Sequence, residues 1–488
     1  MHIIKPKGLI FKFLICGTIL FSLHEKGDCQ SFKIPEYTIE AGGVYSAGRQ
    51  TPFWLVSNQF GKNTTKLSSV FASAKIHSDP DTVKIFDFGY GLEIFEHFDG
   101  SNNLRIQQAN FKVKFGFMHL RIGSEEETYG NQDRALSSGS MMWSENTRPM
   151  PKLVLATNGY TDVPFTQGYA QFSGLLSHGW FGDDGYVKDA YLHHKNVYIK
   201  AGGKLPVNLS FGLQHYAMWG GVSPEPAIGE LPSDFKAYTR VFFSKKGEDS
   251  IPGVPLNESL NKIGNHLGSW NYGIDVKLDK YLLGLYYQTI FEDYSGFSKW
   301  IMKDGLWGVY VKTKNAQRFI NAFTYEYIHT SFQSGPPAAV STQFTKGNDN
   351  FFNNSIYRSG WTYDRFTIGT PLISSPSIVE GGSISITNNR VVAHHFGLQG
   401  EFSKSLCYRM FVTISNNYGL YNYNIPNPES KPVQSVFIEI SKSVQRFQGL
   451  DLIVKIAADH GELYGNNGGI LLAVRKRGYL FKRSMQVN

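Results

Sequence analysis

The chain has 488 residues; 15% are aromatic, only 18% are charged, and there are 50 glycines and 3 cysteines. So many rings and so few charges exclude intrinsic disorder, and the composition also excludes coiled coil, collagen and a disulfide scaffold. The formal charge of +8 is dispersed, with 48 Lys and Arg interleaved among 40 Asp and Glu; nucleic-acid binders concentrate basic charge on one face, so no nucleic-acid partner is expected.

The first element is a secretory signal. Lys5 and Lys7 form a basic start, and Gly8 to Leu23 is an apolar stretch broken by Lys12. Gly27 and Cys29 then occupy the small-residue positions of a cleavage site before Gln30. A cleaved signal peptide over 1–29 and an exported mature chain over 30–488 are expected. Cys16 and Cys29 leave with the peptide, so Cys407 is the one thiol kept and no internal disulfide is available. Residues 49–68, with Pro52, Phe53, Trp54 and Leu55, alternate poorly and read as a short helical, plug or periplasmic element.

The remaining elements alternate with period two, the spacing of a strand with unlike faces. Phe111, Val113, Phe115 and Phe117 alternate with Lys112, Lys114 and Gly116. Val207, Leu209, Phe211 and Leu213 alternate with Asn208, Ser210, Gly212 and Gln214. Trp270, Tyr272, Ile274, Val276 and Leu278 oppose Asn271, Gly273, Asp275 and Lys277. Trp307, Val309 and Val311 then oppose Gly308, Tyr310 and Lys312, and Phe323, Tyr325 and Tyr327 oppose Thr324 and Glu326. Val436, Ile438 and Ile440, and Leu450, Leu452, Val454 and Ile456, continue the pattern.

Such strands run about 9–13 residues, the length a tilted strand needs to cross a bilayer. The predicted fold is all-β: a closed antiparallel transmembrane barrel of about 16–20 strands, its apolar face towards lipid. Leu278 to Tyr281 makes a tight turn, whereas 124–190, 220–236, 244–265 and 333–390 read as long connections. Short periplasmic turns and long outer loops are the outer-membrane pattern.

Chemical motifs are sparse. His193-His194 and His394-His395 are adjacent pairs, and neighbours on a strand point to opposite faces. Each pair offers one His to the interior, so metal ligation is not expected. Carboxylates at Glu125 to Glu127, Asp133, Asp162, Asp183-Asp184 and Asp364 match no hydrolase signature. No enzyme activity and no cofactor are expected. More informative is the company kept by the loop aromatics. Trp143, Trp180, Trp219 and Trp361 sit near His178, His215, Asn146, Arg148, Arg358, Asp364 and Arg365. Ring faces stack on sugars while Asn, Asp, Arg and His direct hydrogen bonds to hydroxyls. Trp361, Asp364, Arg358, Trp219, His215, Trp180, His178 and Arg148 are the candidate glycan-binding residues; the competing assignment for each is barrel packing or the interfacial aromatic girdle.

Ordered blocks of sequence resemble a known family. Pro52 to Leu55 with Ser57 to Gly61, Leu136 to Ser140 with Asn146 to Pro151, and Ser177 to Trp180 resemble blocks of the capsule-assembly Wzi family, in its Bacteroidetes-type branch. Tyr191 to Lys195, His215 to Gly221, Gly347 to Pro371, Asn388 to Arg390 with Ala393 to His395, and Leu463 to Asn467 follow in family order. The resemblance implies an outer-membrane barrel of about 18 strands with a helical element at the periplasmic end. It implies a lectin-like role, holding capsular or other surface polysaccharide at the cell. The expected partners are that polysaccharide and outer-membrane lipid, with the protein a monomer. A porin-like barrel passing solute is the alternative, and an outer-membrane glycan hydrolase a weaker third. One departure is the C-terminus: outer-membrane barrels end on an aromatic, and the nearest here is Phe481.

Overall fold

The alternating segments build one wall. In the computed structural model, which describes residues 33–246, 262–292, 294–297, 303–314, 318–335, 349–379, 382, 384–420 and 429–480, eighteen strands pair antiparallel, each with the next. They are β1 (Glu36–Ala47), β2 (Ser68–Ser78), β3 (Phe86–Phe98), β4 (Asn102–Phe115), β5 (Met118–Ser124) and β6 (Lys152–Thr157). Then come β7 (Ala170–Gly182), β8 (Ala190–Ala201), β9 (Val207–Trp219), β10 (Asn265–Lys277), β11 (Tyr281–Gln288) and β12 (Gly305–Thr313). The last are β13 (Ala322–His329), β14 (Val391–Ser403), β15 (Leu406–Asn417), β16 (Lys431–Ser443), β17 (Leu450–Gly461) and β18 (Asn467–Tyr479). Thr161–Asp162 prolongs β6 along β7. β18 returns to β1, from Glu36 opposite Tyr479 to Ala47 opposite Gly468, and closes the ring. A closed sheet has no unpaired edge, which is what lets strands cross a bilayer. The signal segment, Phe481 and the tail lie outside the described residues.

Facing follows the sequence pattern. Along β10, Ile274 is 39% exposed while Asn271 is fully buried. Asp275 points inward, accepting from the Tyr310 hydroxyl at 2.6 Å and pairing with Lys200 at 3.2 Å. The inner face elsewhere carries ion pairs such as Arg409–Glu439 at 2.8 Å and Arg475–Glu40 at 2.7 Å. Inward glycines make room for inward rings: a Cβ on Gly308 would lie 2.1 Å from the Tyr286 ring. Outward, Phe211 stacks on Trp270 and Tyr287 on Trp307.

Two expectations need correction. The stretch 124–190 is not one connection, because β6 and β7 form within it. Alternation is obscured in β7, where the inward positions mix Ser173 and Ser177 with Leu175 and an outward one is Gly174. The second concerns only the periplasmic end that the resemblance implied; the short helical or plug element expected within 49–68 is present. The longest connections (48–67, 125–151, 220–264, 289–304 and 330–390) all leave from the end opposite the described termini, and the three described helices lie on them. These are α1 (Phe53–Val56), α2 (Phe235–Phe242) and α3 (Tyr294–Phe297). All four α1 side chains are apolar and buried, so the helix folds into the barrel. There Trp54 Nε1 donates to Thr413 Oγ1 at 3.1 Å and the Phe53 amide to Asp459 Oδ2 at 2.9 Å.

An empty ring of about 16–18 strands leaves a channel, and here the lumen is filled. Segment 125–151 enters from the long-connection end and crosses between β11 and β15. Its Met141 amide donates to Gln288 Oε1 at 3.0 Å, and Asp133 pairs with Lys312 at 3.3 Å. The Ser137 hydroxyl reaches Glu326 Oε1 at 2.6 Å and the Ser138 amide reaches Oε2 at 2.7 Å. His395 Nε2 meets the Leu136 carbonyl at 2.9 Å, and Arg409 Nη1 donates to the Ala135 carbonyl at 3.1 Å. Gly397 permits this approach, since a Cβ there would lie 2.5 Å from the Leu136 oxygen. The segment 349–390 packs onto this plug, with Trp361 Nε1 donating to the Met142 carbonyl at 2.8 Å and Asn146 Nδ2 to the Thr367 carbonyl at 2.9 Å.

Two outcomes follow. Ile274→Arg puts a charge on the lipid face and should destabilise the inserted barrel by roughly 2–4 kcal/mol near the bilayer midplane. Urea unfolding in vesicles measures it, and a larger loss for Asn271→Arg would mean the facing is inverted. Glu326→Ala strips the buried acceptor from Ser137, Ser138 and Tyr286, costing about 3 kcal/mol. The plug should loosen and single-channel conductance in planar bilayers should rise; unchanged conductance would mean that Glu326 does not fasten it.

Candidate functional site

Where the plug meets segment 349–390, the long-connection end carries a cleft of about 200 Å³. Tyr186, Ser359, Tyr363, Asp364, Arg365 and Ile378 are among its walls. Its centre is a hairpin in which Tyr363 pairs with Phe366. The two turn residues, Asp364 and Arg365, have φ of 48° and 68°. A two-residue turn with both φ positive twists correctly for a hairpin but favours Asn-Gly. Asp-Arg in its place is strained, and such strain persists where the surroundings impose it.

Those surroundings are electrostatic and apolar together. Asp364 Oδ2 lies 3.5 Å from Arg105 Nη1 and 3.9 Å from Arg148 Nε. Arg105 is held in turn by the Gly61 carbonyl at 2.7 Å and by the Phe95 ring. Burial raises the Asp364 carboxyl above its ordinary 3.8, outweighing the two guanidinium groups. Burial likewise pushes the Tyr363 hydroxyl up to about 12. Arg358 lies 5.0 Å above the Tyr186 ring and pairs with Glu225. Together, two half-buried tyrosine rings stand beside carboxylate, guanidinium and hydroxyl groups. Rings supply flat apolar contact, and the polar groups supply directed donors and acceptors, the requirements of a ligand rich in hydroxyls.

The family model for capsule assembly protein Wzi matches residues 35–374. The chain belongs to the Wzi capsule assembly family. Among solved structures, Wzi of Escherichia coli, described as an outer membrane carbohydrate-binding β-barrel involved in group 1 capsule assembly, superposes with a TM-score of 0.55 at 14% identity. The match covers 90% of this chain and 83% of that one. Pseudomonas aeruginosa OccK5 (OpdH) follows with a TM-score of 0.49 at 8% identity, over 92% of this chain and 99% of that one. No curated protein sequence matches the chain.

In this Wzi-family barrel the eight residues singled out from sequence fall into three places. Asp364, Arg148 and Arg358 lie in or beside the cleft. Trp361 is fully buried behind it, packed edge-on to Trp143 and Phe181. His178, Trp180, His215 and Trp219 lie on the outward face of the wall, where His178 meets Trp180 at 5.0 Å and Trp219 at 5.9 Å between ring centroids. The paired histidines split between faces: His194 stacks on Tyr216 inside and His395 bonds the plug, while His394 accepts or donates outward with the Tyr325 hydroxyl at 2.8 Å. The sequence alone did not single out Tyr363 and Tyr186 as walls of the cleft or Arg105 as the brace of Asp364. Thr362-Tyr363 and Phe366-Thr367 flanking Asp364-Arg365 was a readable hairpin signal.

The raised Asp364 value has a sign. Its contribution to stability is complete below the unperturbed 3.8 and is lost as pH rises through the higher folded value. Limited proteolysis of the hairpin from about pH 4 to about pH 7 should show protection falling in the wild type. Asp364→Asn should flatten that profile; equal slopes would remove Asp364 from the account.

Proposed function

We propose that this Wzi-family protein is a non-enzymatic outer-membrane lectin that holds capsular or other surface polysaccharide at the cleft beside the Asp364-Arg365 turn. The observation that carries the reading is the combination of a plugged lumen with an aromatic and charged cleft on the plug's outer side. A filled barrel favours holding a polymer over passing solute. Carbohydrate binding by Escherichia coli Wzi, a structure of the same fold, supports the ligand class. Tyr363 and Tyr186 are the stacking surfaces, Asp364, Arg365 and Arg358 the hydrogen-bonding groups, and Arg148 braces the turn. Trp361 is the floor on which the hairpin rests.

Each sugar contact is weak, because water competes for every hydroxyl, and is worth about 1 kcal/mol. Affinity then builds from repeated units of one polymer through effective concentration. Tyr363→Ala should weaken polymer binding about fivefold to tenfold, measured by glycan array and by polymer released into the medium, at normal protein abundance. Trp361→Ala should instead open a cavity costing roughly 3–5 kcal/mol, so that hairpin order and binding fall together. Full retention of polymer by a normally abundant Tyr363→Ala protein would end this assignment of the site.

A further inference from the structure

The outer wall carries a helix that the polysaccharide reading does not use. α2 lies on the outside of the barrel, over β8, β9 and β10. Its Ala237 and Val241 are fully buried against Ala217, Trp219 and Ile263. The wall beneath is unusual for a lipid-facing surface. His193 and Lys195 share the face of exposed Val197 and Ile199; His215 shares that of Leu209 and Phe211; His266 shares that of Ile274. Left to lipid, these groups would cost several kcal/mol each. The helix covers them instead. Tyr238 and Phe242 pack on the His193 ring, and the Ser244 hydroxyl lies 3.1 Å from His215 Nε2, which meets His266 Nδ1 at 2.9 Å. Lys195 Nζ donates to the Phe242 carbonyl, tying down the helix C-terminus. The helix is therefore a fixed part of the wall and not a lid.

Its height is set by the strands. Trp219 is the last residue of β9, His193 is near the start of β8, and His266 is the second residue of β10. All are at the long-connection end, which in outer-membrane barrels faces outward, so α2 sits beside the outer end of the apolar wall. The surface it turns outward is basic and aromatic. Phe235 is 79% and Phe243 64% exposed, and Lys236, Lys245 and Lys246 are exposed beside Arg240. Among the described residues the adjoining acid, Asp234, is engaged as the cap, accepting from the Ala237 amide at 2.7 Å. We propose that α2 and Ser244 to Lys246 form a seat for the phosphate groups of an outer-leaflet lipid, with Lys245 and Lys246 meeting the phosphates and Phe235 and Phe243 entering the acyl boundary. Basic charge over apolar rings is the arrangement that holds a peptide segment at an anionic membrane surface.

The test uses the intact barrel in nanodiscs of phosphatidylcholine containing lipid A, or lipid A stripped of its phosphates, read by native mass spectrometry. The phosphorylated form should be retained about tenfold more than the stripped one, and Lys245→Gln with Lys246→Gln should abolish most of that preference. Phe235→Ser with Phe243→Ser should lower retention of both forms while the barrel stays folded by heat-modifiable gel migration. Equal retention of the two lipids overturns the proposal. So does an undiminished preference in the lysine variant, a stable adduct with inorganic phosphate alone, or a dimer that replaces bound lipid. Polymer binding should be unaffected by the lysine variant, so this outcome is separable from the lectin reading.

Discussion

Closure of the sheet imposes the constraint from which the rest follows. Once β18 pairs with β1, the described wall has no open edge, but the ring encloses a lumen lined with Glu326, Gln288, His395, Arg409 and Lys312. Those groups need partners. The plug supplies them, largely from its own backbone: the Leu136 and Ala135 carbonyls and the Ser138 and Met141 amides. A segment with little regular secondary structure is tolerated at membrane depth only where it is enclosed by protein, and the wall and the plug answer each other's unpaired groups. Glu326 concentrates this exchange, since two serines and a tyrosine converge on one carboxylate.

The wall was legible in the sequence because its signal is local. Alternation along β10, β12, β13 and β16 assigns each side chain to a face with no knowledge of its neighbours. It failed over β7, where Ser, Gly and Leu share the inner face and the outer face holds Gly174. The plug was not legible, because nothing in Leu136 to Met141 says that it will meet residues more than a hundred positions away. The same limit explains the candidate site. Aromatic and charged residues in motif-dense segments were identified, but their faces were not. His215 and Trp219 lie near β9's end, where an outward position reads as an available loop residue until α2 is seen to cover it. Trp361 looked accessible for the opposite reason: its neighbours Trp143 and Phe181 come from the plug and from β7.

The same geometry distinguishes rigid from adaptable parts of the site. The Asp364-Arg365 turn is fastened from below by Arg105 on the wall and Arg148 at the end of the plug. A ligand at this turn thus meets a surface already ordered by the barrel, and little conformational entropy remains to be lost on binding. Polymer recognition by weak repeated contacts benefits from that, because each contact has little free energy with which to order a loop.

The plug also dictates an order of assembly. Both of its ends, after β5 and before β6, belong to the first third of the chain, yet its deepest partners are on β13, β14 and β15. Ser138 and Glu326 are 188 residues apart. The plug has no seat until the later wall exists, and until then Leu136, Met141, Met142 and Trp143 lack the partners that bury them. Long-range closure is slow, so the segment that ends most buried is among the last to be protected. An incomplete barrel therefore leaves its future interior without a protein partner until β13, β14 and β15 are in place.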